Sequence, residues 1–152
     1  MINIEELKDK TIFFLKEGKH YAKLVDIVID PEKLSSQYVA ARCGSWYRPV
    51  KLIPYEKIIA INGDFVTVRS EDDMLEINDS TALTLDENTK LNESRIIDER
   101  GNYRGTINSF NIDESTGKVA SIVLSGGKDI PIDGIMTMSP GIIVVRGSAL
   151  RS

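Results

Sequence analysis

Short apolar runs rich in Ile and Val recur along this chain, and Gly, Pro, Asn and Asp stand between them. β-Branched residues in runs too brief for an amphipathic helix predict strands. Between Lys23 and Asp30, Leu24, Ile27 and Ile29 are apolar at steps of three and two, and Ile107, Phe110 and Ile112 repeat that spacing. A step of three followed by a step of two fits a strand with one extra residue, a β-bulge. A bulge in each of two such strands predicts strongly curved sheets, as a small barrel needs. Asp30–Pro31–Glu32–Lys33 has the Asp-then-Pro order of a type I turn, and Asp113–Glu114–Ser115–Thr116–Gly117 turns on glycine instead. The following strands carry Val39 and Ala41, then Ile122 and Leu124. Ile53–Pro54 and Ile130–Pro131 mark strand starts or sheet edges, because proline cannot donate to a ladder. Asn62–Gly63–Asp64 between Ile59/Ile61 and Val66/Val68 predicts a hairpin. Ser139–Pro140–Gly141 between Met136/Met138 and Ile143/Val145 predicts another.

These elements form an internal repeat. Adding 83 carries Gly18, Ile29, Asp30 and Gly44 onto Gly101, Ile112, Asp113 and Gly127. Adding 77 carries Ile53, Pro54, Ile58, Val68 and Arg69 onto Ile130, Pro131, Ile135, Val145 and Arg146. The offsets differ by six (83 − 77), so one insertion just after Cys43–Gly44 reconciles them, and it contains or adjoins Trp46, Tyr47 and Arg48. The ordered matches predict one small unit used twice. The division is a first unit at residues 1–72, an acidic linker at 73–93 and a second unit at 94–150. Ile4–Lys10 reads as a short helix or an extended lead-in, Glu71–Ser94 as a partly ordered connector, and Ser148–Ser152 as a loose tail. Units this small bury little surface alone, so the copies are expected to dock on each other or on a partner.

The net charge of −4 is unevenly placed. Residues 71–94 hold eight acids against Lys90, whereas residues 1–70 sum to +2 and residues 95–152 to +1. Two near-neutral folded units do not demand a nucleic-acid partner, which usually binds a basic face or stripe. The single cysteine, Cys43, excludes an intrachain disulfide framework and fits a reducing cytoplasm. No apolar run is long enough to span a membrane, and the charged N-terminal stretch does not read as a signal peptide.

Glu17–Gly18 leading into the apolar stretch 22–30 resembles a motif of glycine, short strand and terminal Asp. Arg100–Gly101, Gly105–Thr106–Ile107 and the stretch 112–119 fit that motif better. The motif is that of the PRC-barrel family, named for the cytoplasmic domain of the photosynthetic reaction-centre H subunit. The resemblance covers both copies and leaves the connector outside. It implies a mainly β fold of two tandem small antiparallel β-barrels joined by the acidic linker. It also implies docking and assembly roles without a common active site. A ribosome maturation factor carries a related barrel, which makes a ribosome- or RNA-processing-associated factor the alternative reading. Copy one departs from the motif, with Ala22 where copy two has Gly105, and with the Trp-bearing insertion.

Trp46, Tyr47 and Arg48 are the candidate partner-binding residues, because Trp, Tyr and Arg are enriched at binding hot spots. The competing reading has Trp46 closing a barrel mouth or the seam between copies. His20 is the only histidine and has no neighbour with which to form a metal site or triad. Cys43 reads as a small apolar residue. Glu71–Asp72–Asp73 lacks the alternating spacing and turn glycine of a calcium loop. Asp30 and Asp113 read as turn formers, and Arg69 and Arg146 as strand-end or ion-pair residues. The expectation is therefore a cytoplasmic, non-enzymatic interaction or assembly module with no cofactor or metal. Its protein partner is unidentified, nucleic acid enters only through ribosome association, membrane insertion is not expected and homodimerisation stays open.

Overall fold

The computed structural model describes residues 1–45 and 47–150, with all side chains among them except those of Lys19, His20 and Tyr21. The chain opens with β1 (Ile2–Asn3) and a one-turn helix α1 (Ile4–Leu7). It continues through β2 (Thr11–Phe14), β3 (Lys19–Asp30), β4 (Ser35–Cys43), β5 (Val50–Pro54), β6 (Ile58–Asn62) and β7 (Phe65–Val68). After helix α2 (Asp79–Asn92) come β8 (Arg95–Asp98), β9 (Tyr103–Ile112), β10 (Val119–Leu124), β11 (Asp129–Pro131), β12 (Ile135–Ser139) and β13 (Ile142–Val145). One sheet has the order β5-β4-β3-β2-β7-β6 and the other β11-β10-β9-β8-β13-β12, with β1 added beside β9. Replacing β2–β7 by β8–β13 in sequence converts the first order into the second.

The bulges fall where the apolar spacing places them. Leu24 faces Ala41 and Asp26 faces Ala40, leaving Val25 as the extra residue. Ile107 faces Leu124 and Ser109 faces Val123, leaving Asn108, which is Val25 plus 83. A second pair of bulges, at Gln37 on β4 and Ala120 on β10, has the same separation. The hairpins turn at Gly63–Asp64 and at Pro140–Gly141, with Asn62 facing Phe65 and Ser139 facing Ile142. Pro54 and Pro131 close β5 and β11, each at a sheet edge.

Four features differ from the sequence expectation. The sheets are mixed, because β2 runs parallel to β7 and β8 parallel to β13. That pairing joins the first and last strands of each unit across a long connection, as parallel neighbours require. Neither sheet closes into a hydrogen-bonded barrel among the described residues. The outer edge of β5 pairs with the connector, Leu52 N–H donating to Leu75 O (3.0 Å) and Leu75 N–H to Leu52 O (2.6 Å). The acidic linker at 73–93, expected to be partly ordered, is largely helical. Asn78 Oδ1 accepts from Thr81 N–H (2.9 Å) while Thr81 Oγ1 accepts from Asn78 N–H (2.7 Å), so α2 starts on a reciprocal cap. Its only buried residues are Asn88 and Leu91, and so thin an apolar face leaves a weak periodic signal. The expected tail is a 3-10 turn over Gly147–Leu150, with Arg151 and Ser152 outside the described residues.

The two sheets share one hydrophobic core. Phe14, Leu24, Ile27 and Ile53 of the first meet Phe110, Ile112, Ile122 and Ile143 of the second, with Leu7 and Leu91 from the helices in the same cluster. At the seam the Tyr55 hydroxyl donates to Glu114 O (2.9 Å). Burial, and then the Glu114 and Asp113 charges, push that phenol up to about 12. A single core spanning both sheets ties the stability of each sheet to the other.

Candidate functional site

The six extra residues lie in the β4–β5 hairpin. In the second sheet Leu124 N–H donates to Lys128 O (2.8 Å), closing a short turn between β10 and β11. In the first sheet Ala41 faces Lys51 at the equivalent place, one further pair forms between Arg42 and Val50, and the chain then loops out. Gly44, at φ +80°, begins the loop in a conformation that favours glycine. Arg48 N–H donates to Ser45 O (2.9 Å), and Arg42 Nε donates to Arg48 O (3.0 Å). The loop backbone is thus tied to its own strand, while Tyr47 is 68% exposed and Arg48 is exposed too. Trp46, the third candidate, lies outside the described residues, as does the His20 side chain.

The remaining candidates sit in structural surroundings. Cys43 ends β4 half-buried, its Sγ 3.9 Å from Met74 Sδ. Asp30 Oδ1 accepts from the N–H groups of Glu32 and Lys33, and Asp113 Oδ1 from the N–H and hydroxyl of Ser115. Both carboxylates therefore fold their own turns. Glu71–Asp73 is a 3-10 turn capped by Ser70, with Asp72 3.3 Å from Lys16 Nζ. Arg146 is anchored to Gly134 O by its N–H (2.8 Å), and exposed Arg69 lines a cavity of about 180 Å³ with Glu56, Lys57 and Asp73. Between the halves and α2 lies an open groove of about 380 Å³, whose lining includes Asp30, Glu32, Glu87, Thr84 and Ser139. Among the described residues neither His nor Cys lines this groove, and no three His, Cys, Asp or Glu side chains gather as metal ligands. No described helix is long and apolar enough to cross a membrane.

The structure adds one charged centre that sequence spacing did not single out. Asp98 ends β8 with its side chain 2% exposed, and Arg104 Nε lies 2.9 Å from its Oδ2. Its Oδ1 accepts from the N–H groups of Asn102 (2.9 Å) and Arg100 (3.0 Å). The Asn102 contact foremost, with Arg104 and Arg100 behind it, holds this carboxyl down to about 2. An Asp of depressed pKa adds stability that is complete above its unfolded value of about 3.9 and is lost as pH falls through the folded value. Unfolding midpoints should therefore fall between about pH 4 and about pH 2, and Asp98→Asn should flatten part of that fall. An unchanged acid profile in the variant would remove Asp98 from this role. The Asp-x-Arg-x-Asn-x-Arg spacing from Asp98 to Arg104 was the available signal.

Among known families, residues 85–147 match the PRC-barrel domain. The match starts inside α2, nine residues before the unit boundary expected at 94, and ends after β13. It identifies one PRC-barrel domain, which comprises β8–β13 and the C-terminal half of α2. No curated protein matches the chain.

Proposed function

We propose that this chain is a cytoplasmic, non-enzymatic interaction or assembly module. It comprises two tandem PRC-barrel units, the second lying within residues 85–147 and the first, divergent one formed by β2–β7. Support for the first unit comes from its strand order, its bulges at the same separation and its parallel closing pair. The binding reading is carried by one observation: the hairpin that is longer in the first sheet holds Tyr47 and Arg48 out into solvent on a self-anchored loop. Large side chains presented on a pre-ordered backbone lose little entropy on binding, which is why such residues recur at hot spots.

The experiment is an affinity pull-down from native cytosol with the wild type and a Trp46→Ala/Tyr47→Ala variant, both checked for intact folding. A specific partner should be retained by the wild type and depleted at least about tenfold by the variant, the scale of a hot-spot loss. Equal recovery of the same partner would make the loop structural and move the search to the sheet edges. Salt-sensitive recovery of ribosomes would favour the RNA-associated alternative instead.

A further inference from the structure

The two halves touch through residues that are sequence equivalents of each other. Ser36 N–H donates to Gly117 O (2.7 Å), Val119 N–H donates to Leu34 O (2.8 Å), and Ser35 faces Lys118 between them in an antiparallel bridge. Adding 83 converts Leu34, Ser35 and Ser36 into Gly117, Lys118 and Val119. Each half thus offers the same short segment to the other, and the two hydrogen bonds exchange under that substitution. Residue i on j together with j on i is the signature of a two-fold, isologous contact. Leu34 keeps a left-handed φ of +52° where its equivalent Gly117 has +78°.

The segments that precede each sheet cross over in the same reciprocal way. An offset of 84 carries Leu7 of α1 onto Leu91 of α2, and both side chains are wholly buried in the shared core. Ahead of the first half, Ile2 of β1 pairs with Ile112 on β9 of the second half. Ahead of the second half, Asn88 of α2 accepts from the N–H of Ile29 (3.0 Å) on β3 of the first. Ile29 plus 83 is Ile112. Each lead-in therefore covers the other half's long strand at the same residue. A chance packing of two domains has no reason to select equivalent residues at both the bridge and the crossover.

We infer that the junction is a two-fold dimer interface carried within one chain, and that a second copy of this chain can take either side of it. In that dimer the first half of one copy docks on the second half of the other, giving two identical junctions. The hinge is the exposed segment 76–77, between the Leu75 pairing on β5 and the Asn78 cap of α2. Every contact described above is kept in the exchanged form, so only the hinge conformation and the entropy of association separate the two forms. Protein concentration during folding then decides which forms. The junction contacts described above are made by residues other than Tyr47 and Arg48, so its failure would leave the partner-binding reading intact.

Ser35 and Lys118 form a non-hydrogen-bonded antiparallel pair, whose Cα atoms stand about 4.5 Å apart, within reach of a disulfide. In a Cys43→Ala background, one chain carries Ser35→Cys and a differently tagged chain carries Lys118→Cys. The two are unfolded, mixed and refolded under mild oxidation over about two decades of protein concentration. A chain with both substitutions serves as the internal control, and the untouched wild type is refolded in parallel for light scattering. The expected result is a cross-chain disulfide whose share rises with concentration, alongside wild-type particles of twice the monomer mass. Internal closure of the control with no cross-chain product at the highest concentration would overturn the proposal. So would wild type that stays monomeric throughout, whether or not the control closes.

Discussion

Replacing Phe110 by alanine should destabilise the whole chain by about 3–5 kcal/mol, and both sheets should unfold together. Phe110 is fully buried, faces Ile122 across the β9–β10 ladder, and lies in the cluster that also holds Ile27, its equivalent in the first sheet. Truncation removes a large apolar surface and leaves a cavity between elements of both halves, and packed neighbours collapse into such a space only partly. Two units with separate cores would confine the damage to the second sheet. With one core, loss of packing on β9 lowers the free energy that protects β3 as well. Amide hydrogen exchange at Leu24 and Ile107, whose N–H groups donate to Lys10 O (2.9 Å) and Ser94 O (3.1 Å), reports this directly. Matched losses of protection at the two amides are expected. Full protection at Leu24 beside lost protection at Ile107 would mean that the sheets are energetically independent.

Gly117→Ala should cost about 2–5 kcal/mol, a large effect for adding one methyl group. Gly117 has φ +78°, where a side chain costs about 1–2 kcal/mol. A Cβ there would also stand 2.7 Å from Tyr55 Cδ1 and Cε1 and 3.3 Å from Ser36 Cβ. Tyr55 cannot swing aside freely, because its hydroxyl is held by Glu114 O. The added methyl therefore overpacks the seam by about 1–3 kcal/mol beyond the backbone cost. Gly101→Ala separates the two contributions, since Gly101 has φ +86° and open space where its Cβ would go. Denaturant unfolding should show the Gly101 variant losing only the backbone part and the Gly117 variant losing clearly more. Equal losses would show that the seam accommodates the methyl and that Tyr55 does not lock it.

Local chemistry made much of this fold legible before any coordinates. The three-then-two spacing of Leu24, Ile27 and Ile29 placed a bulge in β3, and its repeat at Ile107, Phe110 and Ile112 placed one in β9. Asp30 and Asp113 announced their turns, and Gly63 and Pro140–Gly141 their hairpins, because these residues favour such backbone conformations without outside help. The insertion bearing Tyr47 and Arg48 was visible as a six-residue difference between two offsets, although exposure of the loop was not. The parallel pairing of β2 with β7 was hidden, because it joins residues more than fifty positions apart. Helix α2 was hidden for a related reason. Its anchors are Leu91 and the amide of Asn88, and an asparagine holding the backbone of Ile29 has no signature in its own neighbourhood. Asp98 reads as one acid in a charged turn until folding withdraws it from solvent beside Arg104. The bends and turns of the strands thus belong to the sequence, since each rests on preferences within a few residues. The open mixed sheets, the shared core and the reciprocal crossover belong to the tertiary structure, where distant and individually weak contacts become favourable only when formed together.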